Sequence, residues 1–145
     1  MAEVIQLFRS IAHRLPMRAV EEIEAVANRG FAGCAHAQPG GLRQILLIDG
    51  ETLEELGLRP GEVKENIVTR GLDVRGLRPG QRLRIGAALV EITVPCGPCK
   101  RLEEVRAGLK QEMRGRRGML CRVVEGGRIR AGDVVVALDY ERVGA

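Results

Sequence analysis

The sequence predicts a mainly β fold, a barrel carrying two or three short helices, and three observations lead there. Short apolar stretches recur along the chain at close spacing, each ended by Gly or Pro. Helical periodicity is confined to brief segments, so long helices do not alternate with the strands as a βαβ sheet requires. Aromatics make up 2% of the residues, namely Phe8, Phe31 and Tyr140, so the interior must be Val, Ile, Leu and Ala. With 145 residues the chain is read as one domain, 1–145, long enough to close a sizeable core.

The elements can be taken in order. EVIQLFRSI (3–11) is rich in β-formers, and Pro16 then breaks the line. AVEEIEAVA (19–27) fits a helical face through Val20, Ile23 and Val26, while its length and the following Gly30 also permit a strand. GFAGCAHAQPGG (30–41) is loop, and it carries a Cys and a His immediately before a strand. QILLI (44–48) reads as a buried strand, and DGETLEELG (49–57) as a short helix capped by Asp49 and stopped at Gly57. ENIVT (65–69) is a strand ended by Gly71. LRPGQRLRIG (77–86) and ALVEITV (88–94) form a hairpin. KRLEEVRAGLKQEM (100–113) is the clearest helix, with Leu102, Val105 and Leu109 on one face. GMLCRVVEGGRIRAGDVVVAL (118–138) closes the chain as two strands around a glycine-rich turn. The total is about seven strands.

Composition removes several function classes. The net charge is +4, and three lysines stand among the 23 basic residues. These positives are interspersed with acids, which describes a solvated face better than a nucleic-acid surface. Stacking platforms for single strands need exposed rings that this chain lacks. Arginine in preference to lysine suits a pocket that grips phosphate or carboxylate, and equally reflects a GC-rich coding bias. The longest apolar runs are too short to span a bilayer, and the N-terminus has no signal-peptide arrangement. The expected location is the cytoplasm, where thiols stay reduced, so four cysteines point to chemistry or metal ligation rather than a disulfide scaffold.

VPCGPCKRLEEV (94–105) admits three readings. Cys96-Gly97-Pro98-Cys99 is the string of a thiol–disulfide oxidoreductase, with a Cys at a helix start and Pro98 in the first turn. Position opposes this: 95 residues precede Cys96, and no later proline supplies the loop that faces such a dithiol. A zinc clamp would pair Cys34 and His36 with Cys96 and Cys99, two ligands from each loop. Cys121, within a strand, reads as a small apolar filler.

The third reading rests on the order of motifs along the chain. Gly30-x-x-Gly33-x-x-His36 comes first, then Arg43-Gln44 before an apolar strand, and Glu65-Asn66-Ile67-Val68-Thr69-Arg70-Gly71-Leu72-Asp73. Next are Leu77-x-Pro79-Gly80-x-x-Leu83-x-Ile85-Gly86 and Pro98-Cys99-Lys100. Gly118 and Gly126-Gly127-x-Ile129-x-x-Gly132-Asp133 complete the series. Over residues 20–138 this order resembles the MOSC domain, the family named for the C-terminal domain of molybdenum-cofactor sulfurases, here as a small stand-alone member.

The resemblance implies a MOSC-type β-barrel in which Cys99 is the family's cysteine. Its thiolate would ligate molybdenum or carry a persulfide received from a pyridoxal-phosphate-dependent cysteine desulfurase. Lys100 and Arg101 would favour the anion. Arg43, Asn66, Arg70 and Arg122 are the candidates for holding the phosphate and pterin of molybdopterin, with Lys100 beside them. His36 would donate a proton to a reducible N–O or S–O bond, or anchor its loop. Glu65 and Asp133 are read as structural. The implied activity is reduction of N-hydroxylated substrates with electrons from a partner, since so small a chain has no room for a haem or flavin domain. The alternative is a non-catalytic sulfur carrier or cofactor-handling module. Two departures stand out: many members have Gly-Asp-Arg-His where this chain has Gly33-Cys34-Ala35-His36, and Cys96 is additional. Substrate and oligomeric state are left open.

Overall fold

The computed structural model describes residues 1–37, 39–97, 99 and 101–138. Among these residues the chain is mainly β, with eleven strands and three short α-helices. In chain order they are β1 (Glu3–Ser10), β2 (Met17–Val20), β3 (Glu22–Val26), β4 (Gly30–Phe31), β5 (Ile45–Asp49) and α1 (Gly50–Glu55). Next come β6 (Ile67–Arg70), β7 (Arg82–Ile85), β8 (Ala88–Pro95), α2 (Leu102–Val105) and α3 (Leu109–Glu112). The chain ends in β9 (Met119–Glu125), β10 (Gly127–Arg130) and β11 (Val135–Ala137).

Eight strands form one sheet in the order β11-β7-β8-β9-β5-β6-β1-β2, and β10-β3-β4 form a smaller one. The pairing is antiparallel except between β5 and β6, which are joined through α1 and run parallel. The ladders do not close the large sheet into the predicted barrel. A single bridge, Glu3 to Val134, spans the gap, with Val4 N–H donating to the Asp133 carbonyl at 2.8 Å and Val135 N–H to that of Ala2 at 2.9 Å. No helix among the described residues is long and apolar enough to cross a membrane.

Strand β5 explains the architecture. All five of its residues are buried, because it lies inside the sheet with apolar layers on both faces. Ile45 and Leu47 join the larger core with Phe31, Ile67, Val90 and Ile92. Ile48 faces the opposite way, into a second layer with Phe8, Leu53, Val68, Leu102 and Leu109. An uninterrupted apolar run is the pattern such a strand needs, since either face would otherwise bury polar groups. The capping of α1 is as read from sequence: the Asp49 carboxylate accepts from Thr52 N–H at 3.2 Å and from the Thr52 hydroxyl at 2.8 Å.

Three local expectations change. The ambiguous 19–27 segment is extended, since β3 pairs on both sides, with β10 and with β4. The helix expected over 100–113 is two short turns. Arg106 is extended (φ −164°, ψ 135°) and Gly108 is left-handed (φ 87°), so the helical hydrogen-bond ladder cannot continue through them. Glu103 holds the break by accepting from Gly108 N–H at 3.1 Å and Lys110 N–H at 3.0 Å. Those bonds, and the charge of Lys110, keep its carboxyl below the usual range. The expected closing hairpin is three strands, because β10 leaves β9 to pair with β3 in the other sheet.

One close approach positions the end of β8. Gly118 has φ +101°, and a Cβ there would strike the Leu47 carbonyl of β5. Its own carbonyl accepts from Cys96 N–H at 2.9 Å, so the backbone just before β9 is pressed against β5 while holding the residue after β8. Gly118→Ala should therefore lose about 2–4 kcal/mol of stability in urea denaturation; a loss under about 0.5 kcal/mol would show that the backbone there relaxes freely.

Candidate functional site

Cys99 stands between the end of β8 and the start of α2, partly exposed, while Cys34, Cys96 and Cys121 are buried. Burial by itself would raise the Cys99 thiol. It is outweighed by a hydrogen bond from Arg117, the N–H groups of Arg101 and Leu102, and the positive charge of Arg117, so the net shift is downward. The other cysteines go the opposite way or are sequestered. Burial pushes Cys96 up against the pull of Arg117 and Arg43, and it pushes Cys121 up to about 12. The Cys34 sulfur accepts from Ser10 N–H at 3.4 Å and Asn66 Nδ2 at 3.5 Å, inside the larger core. Cys99 is thus the cysteine that is both partly exposed and shifted toward its thiolate.

Arg117 is the residue that makes it so. Only 7% exposed, its guanidinium donates to the Val63 carbonyl at 2.8 Å, to the Gly97 carbonyl at 3.4 Å and to Cys99 Sγ at 3.6 Å. It thereby ties the loop before β6 to the loop after β8. Its Nε has no partner among the described residues. Glu65, fully buried nearby, accepts from Gly61 N–H at 2.8 Å through one oxygen and leaves the other without a partner among those residues. Burial raises the Glu65 carboxyl, and hydrogen bonding from Gly61 and the charge of Arg117 recover only part of that rise.

Cys99 and Arg117 line a cavity of about 340 Å³, within the usual range of small-molecule sites, about 300–1,000 Å³. Arg43, Lys64, Arg101 and the histidines His13 and His36 complete its polar wall, over an apolar patch of Leu46, Leu120 and Cys96. Among the described residues no carboxylate lines it. The loops are pinned individually. The Thr93 hydroxyl reaches the carbonyl of Leu42, next to Arg43. Lys64, held at φ 67°, donates through Nζ to the Leu15 carbonyl at 2.8 Å. Arg101 Nη2 lies 2.8 Å from His13 Nε2, and an arginine can only donate in such a contact. A second cavity of about 230 Å³ shares Cys99, Lys64, Arg101 and Arg117, and Glu62 and Glu104 are among its lining.

The residues singled out from sequence divide into three groups. Cys99, His36 and Arg43 meet in the cavity. Asn66 is wholly buried behind it: its Oδ1 accepts from Leu46 N–H at 2.9 Å and lies 3.2 Å from His36 Nδ1, and its Nδ2 donates to the Phe8 carbonyl at 3.2 Å. Asn66 therefore sets the His36 ring rather than facing the cavity. Arg70 and Arg122 lie elsewhere, paired with Glu54 at 2.6 Å and with Glu91 at 2.8 Å. Lys100 lies outside the described residues. The zinc set is not assembled: among the described residues no three His, Cys, Asp or Glu side chains converge as a metal site, and Cys34 packs in a different cluster from Cys96. Arg117, Lys64 and His13 escaped the sequence reading. Only Gly118, a motif position, hints at its neighbour Arg117.

The raised Glu65 carboxyl makes a signed prediction. A carboxyl that binds its proton more tightly folded than unfolded contributes stability below its ordinary range, near 4.5, and loses it as pH rises through the folded value. Glu65→Gln should gain stability relative to the parent across that window and hold the gain at higher pH. Urea denaturation from about pH 4 to about pH 8 would check it; a difference independent of pH would place the Glu65 ionisation at its ordinary value.

The comparisons with known proteins bear on the family and the fold. The family model of the MOSC domain matches residues 21–136. No curated protein matches the chain by sequence. Among solved structures, the YUAD protein from Bacillus subtilis superposes with a TM-score of 0.81 at 18% identity, over 97% of this chain and 98% of its own. YiiM from Geobacillus stearothermophilus gives 0.77 at 18% identity, over 96% and 76%. YiiM from Escherichia coli gives 0.72 at 21% identity, over 96% and 71%. These likenesses are of fold alone. The chain belongs to the MOSC domain family.

Proposed function

We propose that this protein binds molybdenum cofactor and conducts its sulfur chemistry through the thiolate of Cys99. The observation that carries the reading is the pairing of Cys99 with the buried Arg117 in a cavity whose charged side chains, among the described residues, are all cationic. The residues present fit the cofactor. A thiolate is a soft ligand suited to a metal–sulfur centre. Arg43, Lys64 and Arg101 offer the charge and hydrogen bonds that a phosphate and a polar pterin require. Arg117 Nε, without a partner among the described residues, is a further buried donor. In this reading the Glu3–Val134 bridge is the seam of a MOSC-type barrel.

When bound, the cofactor supplies a two-electron centre able to take oxygen from an N-hydroxylated substrate. The protein's own groups do the rest. Arg117 holds the Cys99 sulfur as an anion and shields it from protonation. With Asn66 Oδ1 accepting from His36 Nδ1, the His36 Nε2 is left to the cavity, where it can hold a proton for a departing oxygen. Electrons come from a separate protein partner, and the setting is the reducing cytoplasm.

A second reading is supported by the partial exposure of Cys99 and its lowered thiol: a sulfur carrier charged by a cysteine desulfurase, for which access and anionic character are the requirements. Metal analysis separates the two. Protein purified anaerobically from a host that makes the cofactor should hold about one molybdenum per chain, falling at least tenfold in Cys99→Ser. Arg43→Ala and Arg101→Ala should retain less than the parent while remaining folded. A metal-free parent whose Cys99 accepts sulfur from the desulfurase would replace the reductase reading with the carrier.

A further inference from the structure

Cys96 has no role in cofactor binding as described, yet its placement is specific. It comes directly after β8, with its N–H fixed to the Gly118 carbonyl at 2.9 Å. It packs on Leu46 and Leu120 and lines the same cavity as Cys99, three residues on. Both sulfurs feel the charge of Arg117. Between them, Gly97 has open space where a Cβ would stand, and its carbonyl accepts from Arg117. Cys34 and Cys121 line no part of this cavity, which leaves Cys96 as the thiol placed to reach Cys99.

We propose that Cys96 is a resolving thiol, which discharges a sulfane sulfur carried on Cys99 as hydrosulfide. This rests on the reading of Cys99 as a sulfur acceptor. The Cys99 thiolate first takes one sulfur atom from a sulfane-sulfur donor such as inorganic polysulfide, giving Cys99–S–SH and a polysulfide shorter by one sulfur. The Cys96 thiolate then attacks Cys99 Sγ. The Cys96–Cys99 bond forms and the Cys99–sulfane bond breaks. The departing sulfur takes the electron pair and leaves as HS⁻; over the two steps together the zero-valent sulfur taken from the polysulfide gains two electrons and each cysteine sulfur loses one. An external dithiol returns the pair to thiols by exchange. The shared cavity is the basis of the reaction: a CxxC pair is a spacing at which a disulfide forms once the two Cα atoms come within about 7 Å.

The test is a single turnover under anaerobic conditions. Protein is charged briefly with inorganic polysulfide, desalted, and monitored by released sulfide and by intact mass after alkylation. The parent should release about one sulfide per charged chain and end two hydrogens lighter than the dithiol, with Cys96 and Cys99 both protected from alkylation. Cys96→Ser and Cys96→Ala should stay one sulfur heavier, with a persulfide lifetime at least about tenfold longer. A parent that keeps its persulfide, or Cys96 variants that release sulfide as fast as the parent, would overturn the resolving role while leaving Cys99 a sulfur acceptor. Failure of both parent and variants to gain sulfur would overturn the acceptor reading and the resolving role with it.

Discussion

A buried guanidinium aimed at a thiol is the constraint around which this molecule is arranged. Arg117 reaches Val63, Gly97 and Cys99 from one planar group, and so joins the stretch of chain before β6 to the one after β8. To bury a permanent charge without a direct carboxylate partner is costly unless its donors are taken up. Two of its nitrogens make hydrogen bonds to carbonyl oxygens and sulfur, and a negative charge on Cys99 would offset its own. The stability of the site and the acidity of the thiol are therefore one quantity seen from two sides.

The sheet exists in this form to bring those loops together. Strand β5, buried on both faces, fixes the positions of β6 and β9 on either side. The loop before β6 carries Val63, Lys64 and Glu65, and the segment before β9 carries Arg117 and Gly118. Gly118 lets the latter lie flat on β5, and β8 pairs with β9 so that Cys96 and Cys99 emerge beside it. The basic side chains Arg43, Lys64, Arg101 and Arg117 surround a cavity with no acid among its described lining. Like charges gathered in this way repel one another, and an anion placed among them would relieve that repulsion. Asn66 does quieter work, joining β1, β5 and His36 through a single amide.

The sequence was informative wherever a local rule had one solution. The apolar run at 45–48 read as a buried strand and is one, Asp49 caps the helix begun at Gly50 as read, and the ordered motifs led to the family. It was silent where a side chain's partner lies far along the chain. Three arginines fall within residues 114–117; Arg116 turns outward toward Glu55 at 3.9 Å and Arg117 turns inward, and nothing local distinguishes them. Arg70 and Arg122 stood in or beside motif-like blocks but satisfy Glu54 and Glu91 across the surface, because a strand residue's face is set by register rather than by motif. The helix read over 100–113 failed for a related reason: its apolar spacing is helical, yet Gly108 takes a left-handed turn that lets Arg106 reach the Leu56 carbonyl at 2.8 Å.

The measurement that bears most directly on the account is the pH dependence of Cys99 alkylation, read by mass at that residue in the parent, Arg117→Gln and Arg117→Lys. If Arg117 sets the thiolate, the parent's midpoint lies below that of an ordinary free thiol, about 8.5. Arg117→Gln should move it up by at least about one unit, and Arg117→Lys should recover part of the difference. A folded Arg117→Gln protein whose Cys99 titrates where the parent's does would contradict the claim that this guanidinium organises the site.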